Sequence, residues 1–471
     1  MNGSFLLFCV AVFVPLANAQ LDHSTRQLAR DVFKQLIEIN TTDSVGNVTT
    51  ASEAMAQRFR QAGFPDSDIY IGGPNDRKKN LVFRLHGSGK HKPVLLIGHL
   101  DVVEARREDW TTDPFQFVEK DGYFYGRGAQ DTKDEVAIMV AALIKMKEQG
   151  FVPGRDIILA LTADEETGGS NGVDWLLKNR RELVSAEFVV NTDDITLWSE
   201  NGKPAEMQVV ASEKIYSDYQ LAVTDSGGHS SLPKATNPIY ELSKALVRLQ
   251  NYKFPVEFND VTRAYYEHMS KVVGGERGAD MKAILKTPPD ESAVMRLSRD
   301  VNDNAMMHTT CVATRVTGGH ANNALPQRAE AIVNCRILPG HTKQEIKEIL
   351  QKVVADPAIT VRYVSDSSAV SDSVPKNPVF TPHPLRQDVL NVAETVTHKM
   401  WPGIPVVPTM ARGASDSIFT SAAGMPTYIV AGVAIDRDDD REHGRDERVG
   451  VESFYRGLDF WYDFLTTLTS N

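Results

Sequence analysis

Two hydrophobic periods alternate over the first two hundred residues of the chain. The stretch "HSTRQLARDVFKQLIEIN" sets Leu28, Val32 and Leu36 at helical spacing and predicts an amphipathic helix. Short apolar runs of strand length follow at 80–85, 93–98, 156–163 and 187–191. Between them, "DEVAIMVAALIKMKEQG" (134–150) predicts a helix that stops at Gly150. Strands alternating with helices predict an α/β domain with a mainly parallel sheet.

The pattern changes after about residue 208. Strands are predicted at 217–224, 311–317, 330–337 and 358–364. Ile239, Leu242, Leu246 and Leu249 share one face of a helix, and a second helix opens on Thr342 and Glu345 in capping-box spacing. The order β-α-β-β-α-β is that of a ferredoxin-like unit. A polar stretch at 254–308 interrupts it and reads as irregular, with "TPPDES" and "VNDN" as turns. After the Pro/Ser-rich segment 365–378, helix and strand patterns resume, including an apolar strand at 425–433. The expected layout is an α/β domain at 20–210 and 376–471, with an α+β domain inserted at 211–375.

A length of 471 residues exceeds one core and agrees with two domains. The net charge of −11, without a block of Lys and Arg, excludes a nucleic-acid footprint. Phe5–Leu16 is apolar and is followed by Ala17-Asn18-Ala19, a small-residue cleavage pattern. Residues 1–19 are therefore expected to be a signal peptide, and the protein secreted or periplasmic, with no stable membrane span after cleavage. Of three cysteines, Cys9 would leave with the signal. Cys311 and Cys335 could pair after export or stay as two free core thiols.

The predicted strands end in polar groups. His99 and Asp101 close "LLIGHLD", Asp131 precedes the 134–150 helix, Glu165 and Glu166 follow a strand, and Asp193 and Asp194 follow the next. His443 lies beyond the 425–433 strand, in a charged stretch (437–448) that otherwise reads as solvated loop. In an open α/β sheet, ligands bind at the carboxyl ends of the strands. Each residue alone could be a turn, a helix cap or a bonded core group. Together they bring two imidazoles and several carboxylates to one edge, where their charge calls for a cation. Nitrogen and oxygen donors without thiolate suit Zn²⁺, with Mn²⁺ or Co²⁺ as alternatives.

The ordered set "GHLDVV", "GRGAQDTK" and "ADEETGG" resembles the co-catalytic zinc metallopeptidase family of aminoacylases, glutamate carboxypeptidases, carnosinases and Gly-X carboxypeptidases. The resemblance implies a zinc-exopeptidase-like catalytic domain carrying a ferredoxin-like lid or dimerisation domain. It implies two Zn²⁺ per subunit. His99 and Asp193 would complete one site, Glu166 and His443 the other, and Asp131 would bridge them. Asp194 is the alternative to Asp193. Asp101 would hydrogen-bond His99 and fix its tautomer. Glu165 would be the general base.

From the same resemblance, His229 in "DSGGHSSLP" would stabilise the oxyanion, from a lid or from the partner of a homodimer. Arg336 in "NCRILPG" and Asn323 in "GGHANNALP" would bind a substrate carboxylate. Ser415 and Asp416, in "RGASDSIF", would contact substrate. The expected activity is hydrolysis of small peptides by a carboxypeptidase or dipeptidase. N-acyl amino acids are the alternative substrates, and a non-catalytic binding ectodomain is a third reading.

Overall fold

The computed structural model describes residues 20–470 apart from 168, 366–367 and 376–381. The export signal expected at 1–19 lies outside the described residues. A ten-stranded mixed sheet forms the larger layer. At its centre, Ile157–Thr162, Val94–His99, Phe188–Asn191 and Thr427–Ile429 run parallel to one another. The flanks do not: Asn80–Leu85 and Lys203–Glu213 pair antiparallel with this centre, so the sheet is less parallel than alternation suggested. All six residues of Val94–His99 are buried, as expected for a strand covered on both faces.

The register explains why the polar strand ends meet. His99 lies opposite Thr162, and Ile97 opposite Asn191. Parallel strands in this register finish on one edge, and the loops carrying Glu165, Glu166 and Asp193 leave from that edge. The helix Lys133–Glu148 is buried from Lys133 through Met146. It lies between the sheet and the helices His23–Glu38 and Val451–Thr469, which explains its nearly continuous apolar sequence. Gly150 follows with φ of 66°, a left-handed turn that favours glycine.

Strands of the larger sheet occur up to Glu213 and resume at Val406. Those of a five-stranded antiparallel sheet lie between Ile215 and Ser371. Its order is Thr310–Gly318, Arg328–Ile337, Ile215–Thr224, Ile359–Val364, Val370–Ser371. Side chains of Arg328–Ile337 alternate between the two faces, and helices Pro238–Asn251 and Lys343–Val354 cover the buried one. The second helix forms the expected reciprocal cap between Thr342 and Glu345. On the first, Ala245 rather than Ile239 joins Leu242 and Leu249 in the core. Cys311 and Cys335 face each other across neighbouring strands and form a disulfide.

The stretch 254–308 is not irregular. It holds four helices, Asp260–Val273, Gly275–Ala283, Glu291–Leu297 and Val301–Met307. "VNDN" opens the last of these, capped by the Asp300 side chain on the N–H groups of Asn302 and Asp303. Tyr266, Met281, Ile284, Leu297 and Met307 form a small core against Val407 and Met410 of the larger sheet. The apolar faces of these helices meet partners about 100 residues further along the chain, so no neighbouring segment in the sequence announces the core they share. The strand expected at 425–433 is confined to Thr427–Ile429.

Candidate active site and metal centre

Asp131 stands in front of the helix Lys133–Glu148 and divides its carboxylate between two imidazoles. Oδ1 lies 2.8 Å from His99 Nε2, and Oδ2 lies 2.8 Å from His443 Nε2. Asp193 Oδ1 is 3.5 Å from His99 Nε2, and Glu166 Oε2 is 3.1 Å from His443 Nε2. Two three-residue groups therefore share one carboxylate. Glu165 joins the His99–Asp193 side, and Glu442 joins the His443–Asp131 side, with ligand atoms within 4.8 Å of one another. Asp193 Oδ2 is buried and has no hydrogen-bond partner among the described residues. An orphaned carboxylate oxygen among imidazoles and further carboxylates fits a bound cation.

The electrostatics agree with a site built for positive charge. Burial opposes an imidazolium at His99, but Asp131 and Asp193 outweigh it and hold its pKa well above the histidine range. Hydrogen bonds to Asp131 and Glu166 push His443 up to about 11. Burial, then the charge of Asp193, raises Glu165 well above the usual carboxylate range. Burial and Asp193 lift Asp194 to about 7. Burial and the neighbouring aspartates lift Glu442 to about 9. In the metal-free protein, protons occupy places that cations would fill.

Asp101 acts differently from the sequence expectation. His99 Nδ1 faces the Asp101 backbone carbonyl at 3.0 Å, whereas the Asp101 carboxylate is 3.9 Å away. That carboxylate accepts the backbone N–H groups of Glu165 and Glu166, at 3.2 and 3.1 Å. Asp101 thus orients the imidazole through its main chain and anchors the two glutamates through its side chain. Asp194 is close to Asp193 in sequence, but Asp193 is the one that reaches His99.

Ser415 and Asp416 face inward. Asp416 accepts bonds from Thr162 and Asn171, and Ser415 donates to Glu213, all within a buried network. Asn191 belongs to the same network. Its Oδ1 accepts the N–H groups of Thr192 and Asp193 and so shapes the Asp193 loop. Nor is 437–448 simply solvated, because Glu447 is fully buried and bonded to the Asp131 loop. No spacing distinguishes Glu447 in sequence from Asp440, Glu442 or Asp446.

Three further candidates, His229, Asn323 and Arg336, lie between Ile215 and Ser371, outside the groups of residues that could hold a metal. Gly228–His229 pairs with Ala324–Leu325, so the two "GGH" loops form one small ribbon. His229 is exposed, and its Nδ1 accepts the Ser231 backbone N–H at 3.2 Å. Asn323 adjoins the ribbon, its carbonyl accepting the Ser230 N–H. Arg336 lies opposite Tyr216, its guanidinium 4.8 Å from the ring centre, with no carboxylate ion pair among the described residues. The ribbon begins beyond the Thr224–Arg328 pair, at the other end of the strand from Arg336. Eight residue steps lead from Arg328 to Arg336, about 27 Å at the usual rise.

Known proteins resemble this chain in sequence and in fold. The human N-fatty-acyl-amino acid synthase/hydrolase PM20D1 is 28% identical over 95% of this chain and 89% of that protein. A probable carboxypeptidase S-like 2 of Dictyostelium discoideum is 27% identical over 91% of this chain and 88% of its own length. The crystal structure of the M20 family metallo-carboxypeptidase Sso-CP2 from Sulfolobus solfataricus superposes with a TM-score of 0.69 at 16% identity, covering 95% of this chain and all of that one. The sequence profile of peptidase family M20/M25/M40 matches residues 95–467, a span that includes every residue of the Asp131 cluster. The chain is a hydrolase belonging to the peptidase family M20/M25/M40.

Proposed function

We propose that the protein hydrolyses an amide bond next to a free carboxylate, as a secreted or periplasmic exopeptidase of carboxypeptidase or dipeptidase type with two zinc ions. The observation that carries this reading is the division of the Asp131 carboxylate between His99 and His443. In this reading His99 and Asp193 would hold one ion and His443 and Glu166 the other, with Asp131 contributing to each. When bound, the two ions would supply the Lewis acidity that acidifies a water and polarises the scissile carbonyl. Glu165 takes the proton of the attacking water on its carboxylate and passes it to the leaving nitrogen. Burial, then the charge of Asp193, raises the Glu165 pKa, which makes its carboxylate a stronger base.

Arg336, without an ion pair among the described residues and held over Tyr216, receives the substrate carboxylate through two parallel hydrogen bonds. His229 donates to the oxyanion, with Asn323 beside it. The length of the Arg336 strand argues that one small substrate cannot touch both ends within one chain. A second copy therefore supplies His229 and Asn323, and the enzyme is a homodimer with 211–375 as its lid and dimerisation domain. The edge strand Thr310–Gly318, exposed at Val312 and Val316, offers a surface for that pairing. The Cys311–Cys335 disulfide agrees with an oxidising compartment.

A second reading has N-acyl amino acids as substrates. It is favoured by the 28% identity to the human N-fatty-acyl-amino acid synthase/hydrolase across nearly the whole chain. Metal analysis followed by kinetics on dipeptides and N-acyl amino acids decides between the two. The first reading expects two bound ions and higher kcat/KM on dipeptides. A preference for N-acyl amino acids selects the second. A protein that binds no metal and cleaves neither class would be a binding ectodomain.

A further inference from the structure

The loop carrying Asp131 and the segment carrying His443 are far apart in sequence but tied together below the metal centre. Glu447 is 0% exposed, and each of its carboxylate oxygens accepts two N–H groups. Oε2 accepts Arg127 at 2.6 Å and the Gly128 backbone at 3.0 Å. Oε1 accepts the backbone N–H groups of Gln130 at 2.7 Å and Asp131 at 3.2 Å. The Arg127 guanidinium, lying over Trp110, donates onward to the carbonyls of His443 and Gly444. Gln130 closes the tie from the other side. Its Nε2 donates to the carbonyls of Asp439 and Arg448, and its Oε1 accepts the Arg441 N–H.

We infer that Glu447, through Arg127 and Gln130, is a positioning residue that sets the separation of Asp131 and His443 and thereby tunes affinity for the second metal ion. This rests on the two-ion reading given above. The physical argument is one of stiffness. His443 is half exposed and sits on an irregular segment, so its own packing cannot fix it to a fraction of an ångström. A buried carboxylate with four donors can, because any movement of one segment strands N–H groups that have no other acceptor. A side chain that only stabilised the fold would change unfolding temperature and leave metal affinity alone.

The test uses the full-length protein stripped of metal and titrated with Co²⁺, followed by absorbance and by metal content after gel filtration. Wild type is expected to take up two ions. Glu447→Gln keeps the shape but loses one acceptor oxygen. It should retain the first ion, bind the second 10–100-fold more weakly, and regain kcat at saturating metal with KM unchanged, the usual scale for a residue that orients a metal ligand. Gln130→Met, which leaves the buried Arg127–Glu447 pair intact, should move the second affinity in the same direction by a smaller factor. It decides the matter if Glu447→Gln does not fold. Unchanged affinities for both ions in a folded Glu447→Gln, or in Gln130→Met where it alone folds, overturn the inference while leaving the two-ion reading intact. Wild type that takes up no Co²⁺ overturns the two-ion reading, and the inference with it.

Discussion

Arg336 stands near one end of the five-stranded sheet and His229 on the two-stranded ribbon beyond its other end, separated by most of the length of the strand Arg328–Ile337. The geometry predicts that they serve the same substrate only between two chains. His229→Ala and Glu165→Ala, each nearly inactive alone, should recover activity when mixed under conditions of subunit exchange. One mixed site would contain both intact groups. His229→Ala by itself should lose about 10²–10³ in kcat with normal metal content, the usual cost of one oxyanion donor. Absence of recovery in a dimer shown to exchange would place His229 within its own chain.

Glu165→Ala should lose about 10²–10⁴ in turnover. Metal content, measured by elemental analysis, should stay at the wild-type value, because the ring nitrogens of His99 and His443 have Asp131, Asp193 and Glu166 as nearest carboxylates. Loss of metal in a folded Glu165→Ala would move Glu165 into the ligand set.

Asp101→Ala strands the N–H groups of Glu165 and Glu166 beside a buried site, at about 1–3 kcal/mol for each group left unsatisfied. His99 keeps its contact, since the Asp101 carbonyl remains. The expected result is a lower unfolding temperature together with a large fall in kcat, read by calorimetry and kinetics. Asp101→Asn retains one acceptor and should fall between this variant and wild type.

Metal binding should release protons. In the metal-free protein His443 is pushed up to about 11 by its hydrogen bonds to Asp131 and Glu166, and Asp131 and Asp193 raise His99 against the cost of burial, so both rings hold their protons more tightly than a free imidazole. A metal takes the neutral ring, so uptake expels those protons and apparent affinity falls as pH falls. Titration calorimetry in buffers of different ionisation enthalpy measures the number released. The same pairing stabilises the metal-free fold below pH 6.5, the ordinary histidine value, and that stabilisation fades as the pH rises through about 11.

The legible parts of the sequence were those with one dominant period. The continuous run Val94–His99 and the alternation in Arg328–Ile337 each point to one kind of strand. The polar residues at the strand ends were visible because His99 and Asp101 contradict the run they follow. The helices between 254 and 308 were hidden because their core is shared with Val407 and Met410, far away in the chain. Glu447 was hidden for a related reason. Its role consists of accepting main-chain N–H groups, which every residue but proline has, so nothing at 126–131 announces the partner. Asp101 showed its chemistry but not its direction, because carbonyl and carboxylate of one residue went to different partners.

The bond between Asp131 and His443 spans 312 positions. The helix Val451–Thr469, whose Trp461 donates to Glu135, completes the packing around Lys133–Glu148. At about 5–20 residues per second of synthesis, roughly 15–60 s pass between the appearance of the two ligands. Throughout that interval the nascent chain cannot assemble the paired centre or finish its main core. A protein whose paired centre closes only when the segment carrying His443 arrives gains its hydrolytic activity late in synthesis, and the earlier, partial chain is inert.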